Sequence, residues 1–436
     1  MQLDPARSSS SLRARIGAAA CTLLASSLPS AAHAAADPRW LLETSALYYG
    51  EEARTKIAEP VVRVTRVFSD RRTIALGFTY DAMTGASPTG AQPTGTIQTT
   101  TTPSGGTTSS GANVVPLSPF RDHRVAFDLG LQQPIGRPLL LGGSFHVSQE
   151  RDYESVGGSG TLSADLFSHS LTVSAGGGYD GDHVKPVGGV HEGLTADSLV
   201  AEEGTTLPKH VRHGMVGFSR VMSRRWLLGV NASRSRESGY LTDPYKVISL
   251  VDQTTDTVVG QVSEKRPDNR DRKDVMASST YHLEKDVFYS SYRYYWDDWG
   301  IRSHTIDFKY RKELDNGNYL QPHFRFYTQS AADFFVYNLD PAAPLPPYAS
   351  ADYRVASLQT YTYGLKYGIP LPGNVREVGI RVEYMHQPGH GDRSSGDSSG
   401  GGGEFPDAGT TTAPAPTNVL PHLNAVTVLV GYTTHF

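Results

Sequence analysis

The chain has 436 residues, a formal net charge of −4 and a single cysteine. A mildly acidic balance leaves no electrostatic footprint for nucleic acid. The mean hydropathy is −0.36, and no run of 18 apolar residues occurs downstream of the N-terminal segment, which excludes transmembrane helices.

The first element is a targeting segment. Arg7, Arg13 and Arg15 make a positive n-region, Ile16 to Leu28 a short apolar h-region, and Ala32-His33-Ala34 a small-x-small site, so cleavage is expected between Ala34 and Ala35. The apolar run is too short to span a bilayer as a helix. Cys21, preceded by Ala18-Ala19-Ala20, offers a lipoprotein alternative with a much shorter h-region. Removing Asp4 and the three arginines with the first 34 residues leaves 402 residues, a net charge of −6 and no cysteine. Disulfides, thiol nucleophiles and cysteine-ligated metals are then excluded.

Downstream, period-2 alternation recurs. In Thr73 to Ala82, Ile74, Leu76, Phe78, Tyr80 and Ala82 share one face, and Thr73, Ala75, Gly77, Thr79 and Asp81 the other. Strands with this pattern fall near 40–49, 57–68, 73–83, 121–133, 138–149, 158–165, 169–180 and 210–222. They continue near 226–237, 273–284, 287–296, 301–312, 318–329, 354–369, 375–386 and 424–436. That makes sixteen, with fourteen as the alternative, since the first, second and sixth are weak. Arg63 and Arg66 occupy both faces of the second, so a bulge or shifted register is expected there. The closing strand alternates Val426, Val428, Val430, Tyr432, Thr434 and Phe436 against smaller or polar residues. Tyr432 and the terminal Phe436 resemble the C-terminal assembly signal of bacterial outer-membrane barrels; the alternative is the closing strand of a soluble sandwich.

The connections are unequal. Tight turns occur at Ser69–Arg72, Pro134–Arg137, Ser223–Arg225, Glu284–Asp286, Leu314–Gly317 and Pro370–Asn374, and long polar segments near 84–119, 181–209, 238–272, 330–353 and 387–420. Thr96–Gly111 and Gly391–Pro416 are low-complexity and are expected to be mobile. Short turns on one side and long loops on the other, with 23 tyrosines for interface girdles, point to an all-β fold. The expected architecture is a transmembrane antiparallel up-and-down barrel in the outer membrane, with short periplasmic turns and long extracellular loops. Its partners are then the outer-membrane lipid bilayer and the barrel-assembly machinery, with no nucleic acid. On this register the charges lining the lumen include Asp128, Asp307, Lys309, Arg311, Arg325, Lys366, Glu377, Arg381 and Glu383, with His146 and His323.

Five strings resemble the bacterial family known as domain of unknown function 3570, a group of predicted outer-membrane barrels. They are Leu47–Glu51, Asp81–Gly90, Gly239–Lys246, Arg266–Arg270 and Tyr292–Ile301. The resemblance implies location and fold and supplies neither reaction nor ligand. It also implies an association with periplasmic flavin-attachment and thioredoxin-like proteins.

Other candidate chemistry is weak. Trp296-Asp297-Asp298-Trp299-Gly300 reads as a turn with interface aromatics rather than a cation or sugar site. Ser163, Asp165 and His169 lack a nucleophile elbow. Glu264-Lys265-Arg266 and Arg270-Asp271-Arg272-Lys273 read as surface or rim ion pairs. His183 with His191, or His210 with His213, would be needed for a metal, and the latter pair point to opposite faces of a strand. No enzyme activity, cofactor or metal is therefore expected. Two readings stay open: a porin-like channel for small polar solutes or ions, and a non-conducting barrel that docks a periplasmic redox or metal-handling partner.

Overall fold

Alternation of apolar and polar residues closes into a ring of sixteen antiparallel strands. The first eight are β1 (Arg39–Glu51), β2 (Lys56–Val67), β3 (Thr73–Pro88), β4 (Leu117–Ile135), β5 (Leu139–Gln149), β6 (Tyr153–Leu166), β7 (Leu171–Val184) and β8 (Leu207–Ser223). The others are β9 (Trp226–Gly239), β10 (Asn269–His282), β11 (Val287–Asp297), β12 (Arg302–Glu313), β13 (Tyr319–Gln329), β14 (Leu358–Leu371), β15 (Arg376–Gln387) and β16 (Leu423–His435). The computed structural model describes residues 39–52, 54–101, 107–111, 114–195, 199–201, 204–371, 376–389 and 422–436. Ala34, Ala35 and most of the loop at 387–420 lie outside the described residues.

The ring shuts where β1 meets β16. The Trp40 N–H donates to the Phe436 carbonyl (2.7 Å), and the Phe436 N–H donates back to that of Trp40 (3.0 Å). Closure removes the unpaired edges that an open sheet would expose. Along each strand the outward residues form an apolar belt, among them Leu76, Phe78, Phe127, Phe145, Val216, Phe218, Val230, Tyr363, Val382 and Val430, all exposed. A water-soluble barrel has no means of covering so wide an apolar surface; a bilayer covers it.

The second strand carries no bulge. Ala58↔Ala82 and Val61↔Thr79 keep one register across Pro60, which lacks an N–H for the ladder. Arg63 points inward, 3.9 Å from Glu43, whereas Arg66 points outward and stacks 4.9 Å from the Trp40 ring. A cation over an interfacial indole is stable at the membrane edge, so the outward arginine needs no register shift.

The start of β1 and the end of β16 share one end of the barrel with seven connections of two to five residues. The other end carries five long connections and three short ones, at 52–55, 150–152 and 298–301. The loop expected at 84–119 is shorter than its composition suggests. β3 and β4 stay paired as far as Pro88↔Leu117, because Met83 and Phe120 pack against Ile57 inside the rim. Within that loop, the Thr-rich segment expected to be mobile forms a hairpin of Gln98–Thr101 with Thr107–Ser110. β-Branched threonines suit extended backbone.

The long loops fold over the barrel mouth. Segment 240–268 carries its own hairpin, Val247–Asp252 with Thr257–Ser263. Its Ile248 and Val262 pack with Leu194, Leu339, Ala349 and Ala351 from other loops. A second cluster joins Tyr295, Trp299 and Ile301 to Ala332, Phe334 and Val355. Bridges Leu250↔Leu339 and Lys265↔Ala349 tie two loops together, and Phe335↔Ser350 folds one of them back on itself. The result is a roof with its own apolar core, where the sequence led us to expect structureless polar loops.

Candidate functional site: a polar lumen beneath a folded roof

The inner face has two unlike walls. On β6–β9 the inward side chains are mostly small: Ser159, Thr161, Ser163, Thr172, Ser174, Gly176, Gly178, Gly217, Asn231 and Ser233. Thr161 and the inward Met215 (41 % exposed) remain open to solvent, so side chains do not fill this half of the lumen.

The facing strands carry a connected ladder of charge. Asp307 accepts from His323 Nε2 (2.8 Å) and Arg325 Nε (3.1 Å) and lies 3.3 Å from Lys309. The other nitrogen of His323 is 2.8 Å from Glu383, which lies 3.8 Å from Arg381. Glu377 accepts from Lys366 (2.8 Å) and from the Tyr319 hydroxyl (2.6 Å). Arg311 stacks 3.7 Å from the Tyr319 ring and bonds Glu313 at 2.6 Å. The structure thus gathers Asp307, Lys309, Arg311, Arg325, Lys366, Glu377, Arg381 and Glu383 on one wall. Asp128 faces inward elsewhere, paired with His146 at 2.6 Å.

Above this lumen the roof is clamped by six buried ionisable side chains. Arg354 Nη2 donates to Asp243 (2.6 Å), and its Nε to both oxygens of Asp352 (2.8 and 2.7 Å). Arg266 Nη2 bonds Asp352 (2.6 Å) and Glu264 (3.0 Å). Glu264 also accepts from the Ser350 hydroxyl and the Asp243 N–H. Lys246 reaches across the mouth to the Ser87 hydroxyl (3.0 Å) and the Pro88 carbonyl, at the far end of β3. Gln92 spans another gap, with its side chain donating to the Tyr337 carbonyl (3.2 Å) and its N–H to Ser249 (2.9 Å). The roof therefore bridges walls on opposite sides of the ring.

Burial sets the electrostatics of this clamp. It lifts the Asp352 carboxyl, but Arg354, Arg266 and Lys246 outweigh it and hold the group below the usual carboxylate range. Asp243 behaves likewise, with Arg354 its main cation. Burial and acidic neighbours raise Glu264, and burial lowers Lys246.

Several sequence readings change here. Glu264, Arg266 and Arg272 sit in buried ion pairs and Arg270 in a largely buried one, rather than in rim pairs, because alternation on β10 sends Arg270 and Arg272 inward to Asp297 and Glu237. Trp299 is no interface aromatic: it packs edge-on against Phe334 (5.1 Å) beneath the roof, with Arg270 4.3 Å from its ring. Asp297 does close the turn, accepting from the Trp299 and Ile301 N–H groups. His169 and Asp165 meet at 3.3 Å in a short turn, where Asp165 also accepts from Thr172. His210 faces outward to Tyr179 (2.7 Å), and His213 faces inward, 3.6 Å from Asp180. Asp122, Glu150 and Asp152 bring oxygens within 4.8 Å of one another beside the roof, all with partners already.

The five strings singled out in the sequence converge on this mouth. They supply Asp243 and Lys246, Arg266 and Arg270, Ser87, Asp297 and Trp299, and Glu51, which accepts from Tyr49 (2.8 Å). Fold and site together define a transmembrane β-barrel with a polar, partly open lumen and one mouth roofed by its own loops. The chain belongs to the family described as "Protein of unknown function (DUF3570)", whose model matches residues 13–401. No curated protein matches it in sequence. Among solved structures it is similar to a bacterial polysaccharide outer membrane secretin (8 % identity, 91 % of this chain and 98 % of that one, TM-score 0.44). It is also similar to OccK3 (OpdO) from Pseudomonas aeruginosa (10 %, 92 % and 96 %, 0.40). A third is CdiB from Acinetobacter baumannii (7 %, 90 % and 60 %, 0.43).

Proposed function

We propose that the protein is an outer-membrane channel for small polar solutes or ions, with its short turns in the periplasm and its roof at the cell surface. The observation that carries this reading is the asymmetric lumen, a small, solvent-open polar wall facing a ladder of paired charges. A solute passing between them exchanges water for hydroxyls on one side and for fixed charges of both signs on the other. Because the ladder's charges are mutually paired, the wall favours polarity without strong preference for one sign. The roof makes passage conditional on loop movement. No chemical step is assigned to the lumen, whose side chains position charge and hold water.

A second reading is favoured by one observation, the dry packing of the roof. A barrel sealed at the surface would serve as a structural or docking element, meeting a periplasmic redox or metal-handling partner at its short-turn end. Swelling of liposomes holding the refolded protein separates the two. Uptake of small neutral sugars with a sharp size limit supports the channel, and swelling no faster than in empty liposomes refutes it. N-terminal sequencing of protein from fractionated membranes tests location: Ala35 at the start, in the outer membrane, is the expected result.

A further inference from the structure

On the outside of β8–β10, just above the apolar belt, three cations surround Asp271 and a fourth, Arg212, stands beside them. Arg212 is the direct cross-strand neighbour of Arg236, and Arg234 that of Lys273, all on the outward face. Asp271 lies between them, 2.5 Å from Arg234, 3.6 Å from Arg236 and 3.7 Å from Lys273. The Arg234 and Arg236 side chains are 57 % and 62 % exposed. Like charges directly opposite one another destabilise a sheet, and among the described residues two carboxylates, Asp271 and Asp298, whose Oδ1 accepts the Asp271 N–H (2.8 Å), stand against the four cations. This arrangement calls for an external polyanion.

Its position says which. Trp226 stands at the short-turn end of β9, and Arg234 is eight residues further along the same outward face. At about 3.4 Å per residue and a tilt of about 40°, that is roughly 21 Å along the membrane normal, close to the upper edge of an apolar band about 25 Å tall. An aromatic girdle marks the same level on the next strands. Lys273 is paired with Trp296, Trp296 stacks on Tyr294 (5.4 Å), and Tyr292 bonds His304 (2.7 Å). Directly below the cations lie Val216, Phe218, Val230 and Val275.

We propose that Arg212, Arg234, Arg236 and Lys273 bind the phosphorylated sugar headgroup of an outer-leaflet glycolipid, whose acyl chains lie on Val216, Phe218 and Val230. Guanidinium forks match phosphate bidentately, and two phosphates supply the charge that Asp271 and Asp298 do not. The inference rests on the surface orientation given under Proposed function.

Native mass spectrometry of the refolded protein in detergent, with diphosphorylated lipid A, its dephosphorylated form or phosphatidylglycerol, tests it. Tightest binding of the diphosphorylated lipid is expected. The variant R212Q/R236Q/K273Q should weaken that binding by about tenfold or more and leave phosphatidylglycerol adducts unchanged. Equal binding by both proteins, or equal binding of the dephosphorylated lipid or phosphatidylglycerol, overturns the proposal. Heat-dependent gel mobility reports whether each variant is folded. If the triple variant does not fold, R236Q, at an exposed side chain, should still weaken binding about threefold, and no change would be equally fatal. The assay uses purified protein and no transport readout, so its failure leaves the channel reading standing.

Discussion

Replacing Arg354 by Met should open the roof and leave the barrel intact. The guanidinium holds Asp243 and Asp352 together at 2.6–2.8 Å in a site shut off from water, and no barrel ladder uses its side chain. Removing one partner of a buried ion pair destabilises by about 3–5 kcal/mol, because the opposite charge stays buried and uncompensated. At about 1.4 kcal/mol per decade, the equilibrium between closed and open roof shifts by roughly a hundred- to several-thousand-fold. Hydrogen exchange read by mass spectrometry localises the effect. In the native roof the Val251 N–H donates to the Leu339 carbonyl (2.9 Å) and the Ala349 N–H to that of Lys265 (2.9 Å). Peptides from 240–268 and 330–357 should exchange faster by about the stated factor, while peptides from β12 and β13 keep their protection. Arg354→Lys should fall between, since an ammonium restores the charge without the fork. Unchanged roof protection, or acceleration that includes the barrel strands, would refute the idea of a separately clamped roof.

Acid should also loosen the clamp, within a defined window. Asp243 and Asp352 are held below their unfolded value of about 3.9, so their contribution is full above that pH and is lost as pH falls through the folded values. Glu264, raised by burial, has the opposite sign, and its protonation as pH falls strengthens the roof. Conductance should therefore rise only below about pH 4; a rise already between pH 7 and 5 would contradict the assignment. Deleting Phe436 should sharply reduce outer-membrane levels, although the side chain is 69 % exposed and the lost seam bonds with Trp40 amount to about 1–3 kcal/mol. Normal levels of heat-modifiable protein would show that the terminal aromatic is no assembly element. Arg381→Glu places a third acid beside Glu377 and Glu383 and should shift ion selectivity toward cations; unchanged selectivity in a conducting channel would place Arg381 off the solute path.

The barrel was legible because a lipid-facing strand writes its face at every second residue, and each of the sixteen expected strands overlaps one in the ring. Boundaries were read too short where polar residues continue the ladder above the apolar belt, as from Thr84 to Pro88. The roof was missed for a related reason. Val247–Asp252 and Thr257–Ser263 are rich in valine but carry adjacent apolar residues and no period-2 pattern, and among Asp, Thr and Gly they were absorbed into a long polar segment. Buried ion pairs such as Arg266 with Asp352 join residues far apart in sequence, and charge patterning along the chain carries no sign of them. Their only trace was in the strings that carry the family resemblance, Gly239–Lys246 and Arg266–Arg270, which made sense once their side chains met at one mouth.

The central claim is that a polar lumen conducts and that the folded loops govern access to it. Single-channel recording of the refolded protein in planar bilayers, comparing the native chain with Arg354→Met, tests this most directly. The account predicts small, weakly selective openings for the native protein and larger or longer ones for the variant. Silence from both proteins, with each folded and inserted, would contradict it and leave a closed structural barrel.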